Sequence, residues 1–267
     1  MPEGPEVRKM AESLEQLEGK YIARAKVVSG RYKRGAIHDL EKLQASKISR
    51  VLVKGKLITF NLQNTSEPFA VLSTMGMTGW WVVLTQKDHE WDKYRRIEIE
   101  FDDGTVAAFF DPRNFGTFRV VSSFEAKRKQ AELGPDILTS PSLWAAITHP
   151  EFVSRIKRFG RHLTLAEAII DQRIASGCGN YIRADAMYLA KLNPNLYITE
   201  MDDAQLQLIW KCMHEVAKAS YTDKAVIGEG KFQNLVYSKE LSPTGCKIES
   251  FSDSNDRTVW YSPTEQT

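Results

Sequence analysis

Residues 95–110, RRIEIEFDDGTVAAFF, decide the fold class of the first half of the chain. Polar and apolar residues alternate from Arg96 to Phe101, which is the period of a strand with one buried face. Asp103-Gly104 then supplies a dipeptide that favours a tight hairpin turn, and a second apolar run follows it. The stretch therefore predicts two antiparallel strands joined by a short turn.

Further strand-like runs lie on the N-terminal side of this hairpin. RVLVKGKLITFNL at 50–62 predicts either one kinked strand or a tight hairpin around Gly55. FAVLSTM at 69–75 and GWWVVL at 79–84 predict two more strands. Several short strands in one region favour an antiparallel sandwich or barrel.

A helix is predicted ahead of these strands. Apolar residues recur at helical spacing from Glu3 to about Leu17. Pro2 stands just before this segment and Gly19 just after it, as helix start and stop signals do.

The second half of the chain has a different character. A charged stretch from about Glu125 to Pro150 predicts a connection, because it carries Gly134-Pro135 and Pro141. Three segments then predict helices: TLAEAIIDQRIAS, YIRADAMYLAKL and DDAQLQLIWKCMHEVAKA. The last forty or so residues return to strand-like pieces, namely NLVYSKEL, CKIESF and RTVWYS.

Together these patterns predict an α+β protein of several domains. We expect an N-terminal β-sandwich with its leading helix over 1–130, a linker over 131–150, a helical domain over 151–222 and a C-terminal hairpin over 223–267.

Composition excludes several classes of protein. No run approaches the roughly 20 apolar residues of a membrane span, and the polar N-terminus MPEGPEVRKM is unlike a signal peptide. Cys178, Cys212 and Cys246 are scattered, so they cannot complete a four-ligand zinc site and suit a reducing compartment. We therefore expect an intracellular protein without a metal or cofactor. The net charge of +2 does not by itself identify a partner.

Pro2 is the first candidate for chemistry. Removal of Met1 would expose a secondary amine, which is less basic than a lysine and therefore partly neutral and nucleophilic at physiological pH. Attack on an aldehyde-like carbon would give an iminium ion, and Glu3 and Glu6 lie close enough in sequence to move protons. The alternative is that Pro2, Glu3 and Glu6 merely start a helix.

Six motifs in one order favour the catalytic interpretation. They are Pro2-Glu3-Gly4-Pro5-Glu6, Gly55-Lys56, the Gly76–Gly79 element, Asp111–Gly116, Leu133–Asp136, and Asp171-Gln172 followed by Gly177–Tyr181. From Pro2 to about Trp260 the chain resembles the formamidopyrimidine-DNA glycosylase and endonuclease VIII family. The resemblance implies a bifunctional DNA glycosylase and AP lyase of base excision repair, with Pro2, Glu3 and Lys56 as catalytic residues and Glu6 in support.

The resemblance also implies a DNA-binding surface. Met77, Arg113 and Phe115 would fill the gap left by an extruded base, and Arg113 would bind the orphaned partner. Asn180 and Tyr181 belong to the implied helix–two-turns–helix element, where Asn180 and the first helical amides would grip a phosphate. Asn180 is otherwise a helix N-cap, Met77 and Phe115 otherwise core residues.

The chain departs from the family pattern in three places. The C-terminal hairpin lacks the four cysteines of a zinc finger, which implies a zincless finger held by apolar packing, with Arg257 near the lesion phosphates. The stretch from Ser220 to Val236 is short, which implies a preference for oxidised pyrimidines, formamidopyrimidines and hydantoins. A lysine expected before Asp171 is missing, and a basic cluster could replace it; its members are Arg155, Lys157, Arg158 and Arg161.

We expect a monomer that binds damaged double-stranded DNA, with single-stranded or bubble DNA as further candidates. A non-catalytic protein that binds damaged DNA is the alternative.

Overall fold

The computed structural model describes residues 2–34, 37, 39–64, 68–84, 90–138 and 150–267. The chain forms two compact units. The first contains residues 1–2 and 6–131, and the second contains residues 3–5 and 132–267. No helix in the described part is long and apolar enough to cross a membrane.

The first unit is a sandwich of two antiparallel four-stranded sheets. Helix α1 (Gly4–Leu14) comes first in the chain. One sheet has the order β1-β6-β7-β5, with β1 at Ile22–Val27, β5 at Trp80–Leu84, β6 at Arg95–Phe101 and β7 at Val106–Phe110. The other has the order β2-β3-β4-β8, with β2 at Lys47–Lys54, β3 at Leu57–Gln63, β4 at Phe69–Thr74 and β8 at Thr117–Ser122. The predicted sandwich is confirmed.

The core of this unit lies between the two sheets and under α1. Val7 and Leu14 of α1 are fully buried, as helical spacing predicts for one face. Trp81 contributes the largest ring, with its centroid 5.3 Å from those of Phe60 and Phe109 on the two sheets. Its indole N–H donates to Ser73 Oγ at 2.9 Å, so the buried polar atom is satisfied.

Residues 50–62 form the tight hairpin rather than a kinked strand. Lys54 of β2 pairs with Leu57 of β3, which leaves Gly55-Lys56 as the turn. Gly55 has a φ of +56°, a conformation that the turn requires and that glycine adopts at little cost.

The predicted charged connection begins with a helix instead. Helix α2 occupies Ser123–Glu132, where Ser122 Oγ accepts the backbone N–H of Glu125 at 3.1 Å and Ala126 is buried. Ser122 therefore satisfies an amide that the first turn of a helix leaves open. Residues 139–149 of the predicted linker lie outside the described residues.

The second unit is mainly helical. Its helices are α3 at Pro150–Phe159, α4 at Leu165–Ala168, α5 at Asn180–Ala190 and α6 at Asp203–Thr222. Phe152 of α3 packs against Trp210 of α6 with ring centroids 5.0 Å apart, in a core that also contains Ile182 of α5.

The prediction of a helix across 164–176 is wrong beyond α4. Gly134 N donates to Gln172 O at 2.9 Å, and Ser176 N donates to Pro135 O at 2.9 Å. The segment around Gly134-Pro135 thus pairs with residues 172–176, and this pairing replaces the hydrogen bonds of a continuing helix.

The C-terminal hairpin consists of β9 (Glu249–Ser252) and β10 (Thr258–Tyr261), which pair antiparallel. The predicted strand at 234–241 is not formed. The backbone N–H groups of Leu235, Val236 and Tyr237 donate to the buried carboxylate of Asp185 at 2.9–3.1 Å. Because one side chain takes three successive amides, this backbone turns instead of extending.

Candidate active site and DNA interface

Glu3 is held at the N-terminus of α5. Its side chain is buried, with 1% of its surface exposed. Glu3 Oε1 accepts the backbone N–H of Tyr181 at 3.0 Å, and Oε2 accepts that of Ile182 at 3.4 Å. These amides have no partner within the helix, and the positive end of the helix dipole favours a carboxylate there. The residue that follows Pro2 therefore has a fixed place and a favoured charge.

Glycines make this contact possible. Gly4 N donates to Gly177 O at 2.9 Å, which brings the start of α1 against the turn that precedes α5. A Cβ on Gly179 would lie 2.2 Å from Cδ of Glu3, so any side chain there would displace the carboxylate. Gln172 supports the turn, because its side chain donates to Cys178 O at 2.9 Å and accepts the N–H of Gly177 at 3.0 Å.

Two expectations about Asn180 are corrected. The N-cap residue of α5 is Gly179, and Asn180 is the first helical residue. The amides of Tyr181 and Ile182, expected to face a phosphate, donate to Glu3 instead. Asn180 Oδ1 accepts from Arg183 Nη2 at 3.2 Å, which fixes the orientation of the amide group.

Tyr181 is half-buried, and its side chain contacts other side chains of the second unit. Its hydroxyl lies 3.0 Å from Ser220 Oγ, and its ring packs edge-on against Phe232 and Tyr237. This side chain thus joins α5 to α6 and to the segment after it.

No sequence motif indicates the role of Arg183. Its guanidinium is fully buried and donates to Asp253 Oδ2 at 2.6 Å and to Thr258 O at 3.0 Å. Arg183 lies three residues after Asn180 in the same helix, and its position in the sequence is that of an ordinary helix residue. Only the structure identifies its partners.

Asp253 shapes the loop that carries Arg257. Its Oδ1 accepts the backbone N–H of Asn255 at 2.9 Å and that of Arg257 at 3.0 Å. Burial opposes the charge, but the hydrogen bonds from Arg183 and these amides keep the pKa of Asp253 below its usual value. The exposed Arg257 therefore stands at the tip of a hairpin whose loop is fixed from inside.

In the first unit the structure brings together Met77, Arg113 and Phe115, the three residues predicted to insert as a wedge into the gap left by an extruded base. Met77 is 42% exposed and Phe115 is 49% exposed, which excludes the alternative that they are core residues. The Arg113 guanidinium carbon lies 4.8 Å from the centroid of the Phe115 ring, a cation–π distance.

Asp111 holds two loops in place, one with Met77 and the other with Arg113 and Phe115, which we call the wedge loops. This fully buried carboxylate accepts Thr78 Oγ1 at 2.7 Å and the backbone N–H of Gly116 at 2.7 Å. Gly76 lies so close that a Cβ on it would meet the Phe115 carbonyl carbon at 2.5 Å, and its φ is +57°. The sequence motif named Asp111, but its bond to Thr78 is visible only in the structure.

The remaining candidate residues are Pro2 and Glu6, near the start of the chain, and Lys56, on a turn. Pro2 and Glu6 are half-buried, and Glu6 is in the first turn of α1. Lys56 is half-buried on the β2–β3 turn, beside Lys54, whose Nζ donates to Gln130 O at 3.0 Å.

The base of the C-terminal hairpin contains a polar network. Glu265 Oε1 accepts from Tyr188 at 3.0 Å, from Lys191 at 3.1 Å and from Thr244 at 2.9 Å. Burial opposes its charge, yet these bonds and one from Ser242 lower the pKa of Glu265 to about 2. Apolar packing accompanies this network, because Val259 is buried and Trp260 packs against a cluster that contains Val236 and Ile248. Among the described residues no group of three or more candidate ligands could hold a metal ion.

The basic cluster at 155–161 is partly neutralised. Arg155 pairs with Glu151 at 2.8 Å, and Lys157 pairs with Asp203. Arg158 lies over the ring of Phe159 at 5.0 Å. Within the described residues Arg158 and Arg161 form no ion pair.

Comparison with known proteins agrees with these features. Residues 1–118 match the formamidopyrimidine-DNA glycosylase N-terminal domain. The chain is 28% identical over 244 residues to formamidopyrimidine-DNA glycosylase of Listeria monocytogenes, covering 90% of this chain and 84% of the relative. It is 23% identical over 263 residues to endonuclease 8 of Pectobacterium atrosepticum, covering 97% and 95%.

Solved structures show the same fold. The Lactococcus lactis formamidopyrimidine-DNA glycosylase bound to DNA with an abasic site superimposes with a TM-score of 0.80 at 20% identity, covering 99% of both chains. The same enzyme with an oxidised pyrimidine in DNA gives a TM-score of 0.79, covering 100% of both chains. Motifs, fold and relatives agree, and along most of its length the chain is similar to the formamidopyrimidine-DNA glycosylases and to endonuclease 8.

Proposed function

We propose that this protein is a bifunctional DNA glycosylase and AP lyase that acts through the amine of Pro2. The observation that carries the proposal is the fixed carboxylate of Glu3, which is buried and bonded to two amides of α5 directly after Pro2 in the chain. These bonds cap α5, and they also fix an acid–base group on the residue next to Pro2, which proton transfer beside a nucleophile requires.

The chemistry begins with a free Pro2 nitrogen. Its lone pair attacks C1′ of the damaged nucleotide, and the base leaves with the electrons of the glycosidic bond and gains a proton. Opening of the sugar gives an iminium ion, which makes the C2′ hydrogen acidic and lets the 3′ phosphate leave by β-elimination. A second elimination releases the 5′ phosphate. Glu3 supports this sequence as the group that accepts and returns protons, and Lys56 as a cation for the phosphate or lesion.

Asn180 and Arg257 fit a role in phosphate binding. Asn180 Oδ1 is bonded to Arg183, so its NH₂ group is the end that can donate to a phosphate. Arg257 is exposed on a loop fixed by Asp253, and a guanidinium binds phosphate strongly. A phosphate held by both groups would keep the sugar of the target nucleotide in one place.

Met77, Arg113 and Phe115 fit the role of a wedge in duplex DNA. Their loops are exposed at the tips and rigid at the base, where Asp111 bonds both. Extruding a base costs a few kcal/mol, and an inserted side chain offsets the lost stacking.

The substrates we propose are oxidised pyrimidines, formamidopyrimidines and hydantoins in double-stranded DNA. The stretch from Ser220 to Val236 supports this choice, because it is short for a loop that would close over an extruded purine. The related Lactococcus lactis enzyme has been captured with an oxidised pyrimidine in DNA. The hairpin is proposed to work without zinc, with the Glu265 network at its base in place of a metal.

Borohydride trapping tests the proposal. The protein, verified by mass to start at Pro2, is incubated with a duplex carrying 5-hydroxyuracil or an abasic site and reduced. We expect a covalent adduct that Pro2→Gly abolishes and Glu3→Gln strongly reduces. Glu15→Gln, an exposed position after α1, is the control and should trap normally.

The two candidate functions differ in this experiment. No adduct from the wild-type protein, with salt-dependent binding to the same duplex intact, would contradict the enzyme and favour a protein that only binds damaged DNA. A comparison of 8-oxoguanine with thymine glycol in matched duplexes tests the substrate class, and equal excision of both would contradict it.

A further inference from the structure

The first unit carries a group of surface aromatic rings, which we call the aromatic shelf: Trp80, Trp91 and Tyr94. Trp91 is 43% exposed and stacks on Tyr94, with ring centroids 6.0 Å apart and planes 23° apart. It also meets Trp80 edge-on at 6.3 Å. The three rings thus form one contiguous aromatic surface around the exposed Trp91.

The shelf is anchored to the core. Trp80 stacks on the buried ring of Phe110 at 5.4 Å with an interplanar angle of 10°. The indole N–H of Trp91 donates to Glu90 Oε1 at 2.7 Å, which holds the ring by its edge. A ligand that stacks on these rings therefore meets a surface whose order is already fixed.

The shelf is continuous with the wedge. Asp111, whose carboxylate holds the wedge loops, donates its backbone N–H to Tyr94 O at 2.9 Å. Arg96 donates to Asp111 O at 2.7 Å and to Lys93 O at 3.2 Å, so one buried guanidinium supports both features. Trp80 itself starts β5, directly after the wedge loop of Met77.

An exposed cation lies beside the shelf. Lys93 Nζ lies 5.0 Å from the centroid of the Tyr94 ring and is exposed. Asp92 pairs with Arg95 at 2.5 Å, Arg95 is shared with Glu98, and the Glu90 carboxylate accepts the indole N–H of Trp91. Exposed aromatic rings with a neighbouring cation are the chemistry that binds unpaired bases, because every base has a face that stacks.

We propose that the aromatic shelf binds unpaired bases of single-stranded or bubble DNA next to the wedge. The inference rests on the proposed function, since the wedge marks the face that meets DNA. It goes beyond that function, because it assigns a second base-binding surface outside the groups that act on the lesion.

The test compares binding of two labelled DNAs by fluorescence anisotropy at one salt concentration. One is a single-stranded oligothymidylate, and the other is a duplex of the same length with a tetrahydrofuran abasic analogue. We expect Trp91→Ala to weaken binding of the single strand by about 5- to 150-fold, the range for loss of one base–aromatic stack. Binding of the duplex should change less than about 2-fold, because its bases are stacked on each other.

Two further variants make the result specific. Trp91→Phe keeps a ring for stacking and should restore most of the single-strand affinity. Phe124→Ala removes another exposed ring, 78% exposed on α2, and should leave both affinities unchanged. Unchanged single-strand binding by Trp91→Ala would overturn the inference and favour a protein partner for the shelf. An equal loss on both DNAs would also overturn it. Failure of the wild-type protein to bind the damaged duplex would instead contradict the proposed function.

Discussion

Arg183 Nη1 donates to Asp253 Oδ2 at 2.6 Å, and both side chains are almost completely buried. The same guanidinium reaches Asn180 Oδ1 through Nη2. One buried arginine thus connects the two groups proposed to bind phosphate, since Asp253 shapes the loop of Arg257 and Asn180 starts α5. The hairpin and the helix are therefore expected to act as one phosphate-binding element.

Arg183→Met should destabilise the protein by about 3–5 kcal/mol, because it leaves the buried carboxylate of Asp253 without its partner. The control is Arg173→Met, which removes an exposed ion pair with Asp171 and should cost less than about 1 kcal/mol. Urea unfolding of both variants measures the difference. Similar losses in the two variants would contradict a special role for the buried pair.

Glu265 should make the free energy of unfolding depend on pH in the acidic range. Its pKa in the folded protein is lowered to about 2, so its charge stabilises the fold above the ordinary glutamate value of roughly 4.3. That contribution is lost as the pH falls through about 2. Wild type should therefore exceed Glu265→Gln in unfolding free energy at neutral pH, and the gap should narrow between roughly pH 4.3 and 2.

Chemical unfolding at pH 7, 4.5 and 3 measures this gap. Glu249→Gln, an exposed residue on β9, serves as the control and should show little gap at any pH. A gap for Glu265→Gln that stays constant over the whole range would show that its charge does not stabilise the hairpin base.

Local patterns predicted the sandwich well because each strand signal is contained in a few residues. The Asp103-Gly104 turn and the strand β6 are examples, and both are found, although β6 is buried on both faces, with Glu98 inside as well as Ile97 and Ile99. The helix across 164–176 and the strand across 234–241 were wrong for a shared reason. In each, distant groups take the backbone hydrogen bonds: residues 134–135 in the first, and Asp185 in the second.

The candidate site shows the same contrast between local motifs and contacts of residues far apart in the chain. The motifs named Glu3, Asn180 and the wedge residues, but not what holds them. Arg183, Thr78 and Glu265 look like ordinary polar residues in the sequence, and their roles arise from partners far along the chain. A single sequence does not reveal such pairs, because no spacing rule relates position 183 to position 253.

Thr78→Val should weaken action on duplex DNA more than on single strands. The change keeps the shape but removes the hydroxyl that donates to Asp111 and accepts the Arg113 N–H at 3.3 Å. The loss of these bonds should cost about 1 kcal/mol and loosen both wedge loops. A wedge is needed only where a base must leave a stack, so the ratio of duplex to single-strand excision should fall. The ratio is measured with one lesion in both DNAs, and an unchanged ratio would contradict the wedge assignment.

Gly179→Ala should disable the site while leaving the fold intact. The backbone of Gly179 has φ −138° and ψ −160°, which an alanine adopts without strain. Its new Cβ would lie 2.2 Å from Cδ of Glu3 and 2.4 Å from Oε1, and these atoms belong to a side chain that can rotate away. The helix would then lose the carboxylate bonded to the Tyr181 and Ile182 amides.

We therefore expect Gly179→Ala to remain folded but to lower the free energy of unfolding by about 3–6 kcal/mol, since a hydrogen bond to a charged group contributes about 1.5–3 kcal/mol and two are lost. Its borohydride adduct with an abasic site should fall to the level of Glu3→Gln, and the double variant should be no worse than either single one. Additive losses in the double variant would mean that alanine acts through something other than Glu3. Full trapping by Gly179→Ala would mean that the position of the Glu3 carboxylate at the α5 N-terminus has no part in the reaction.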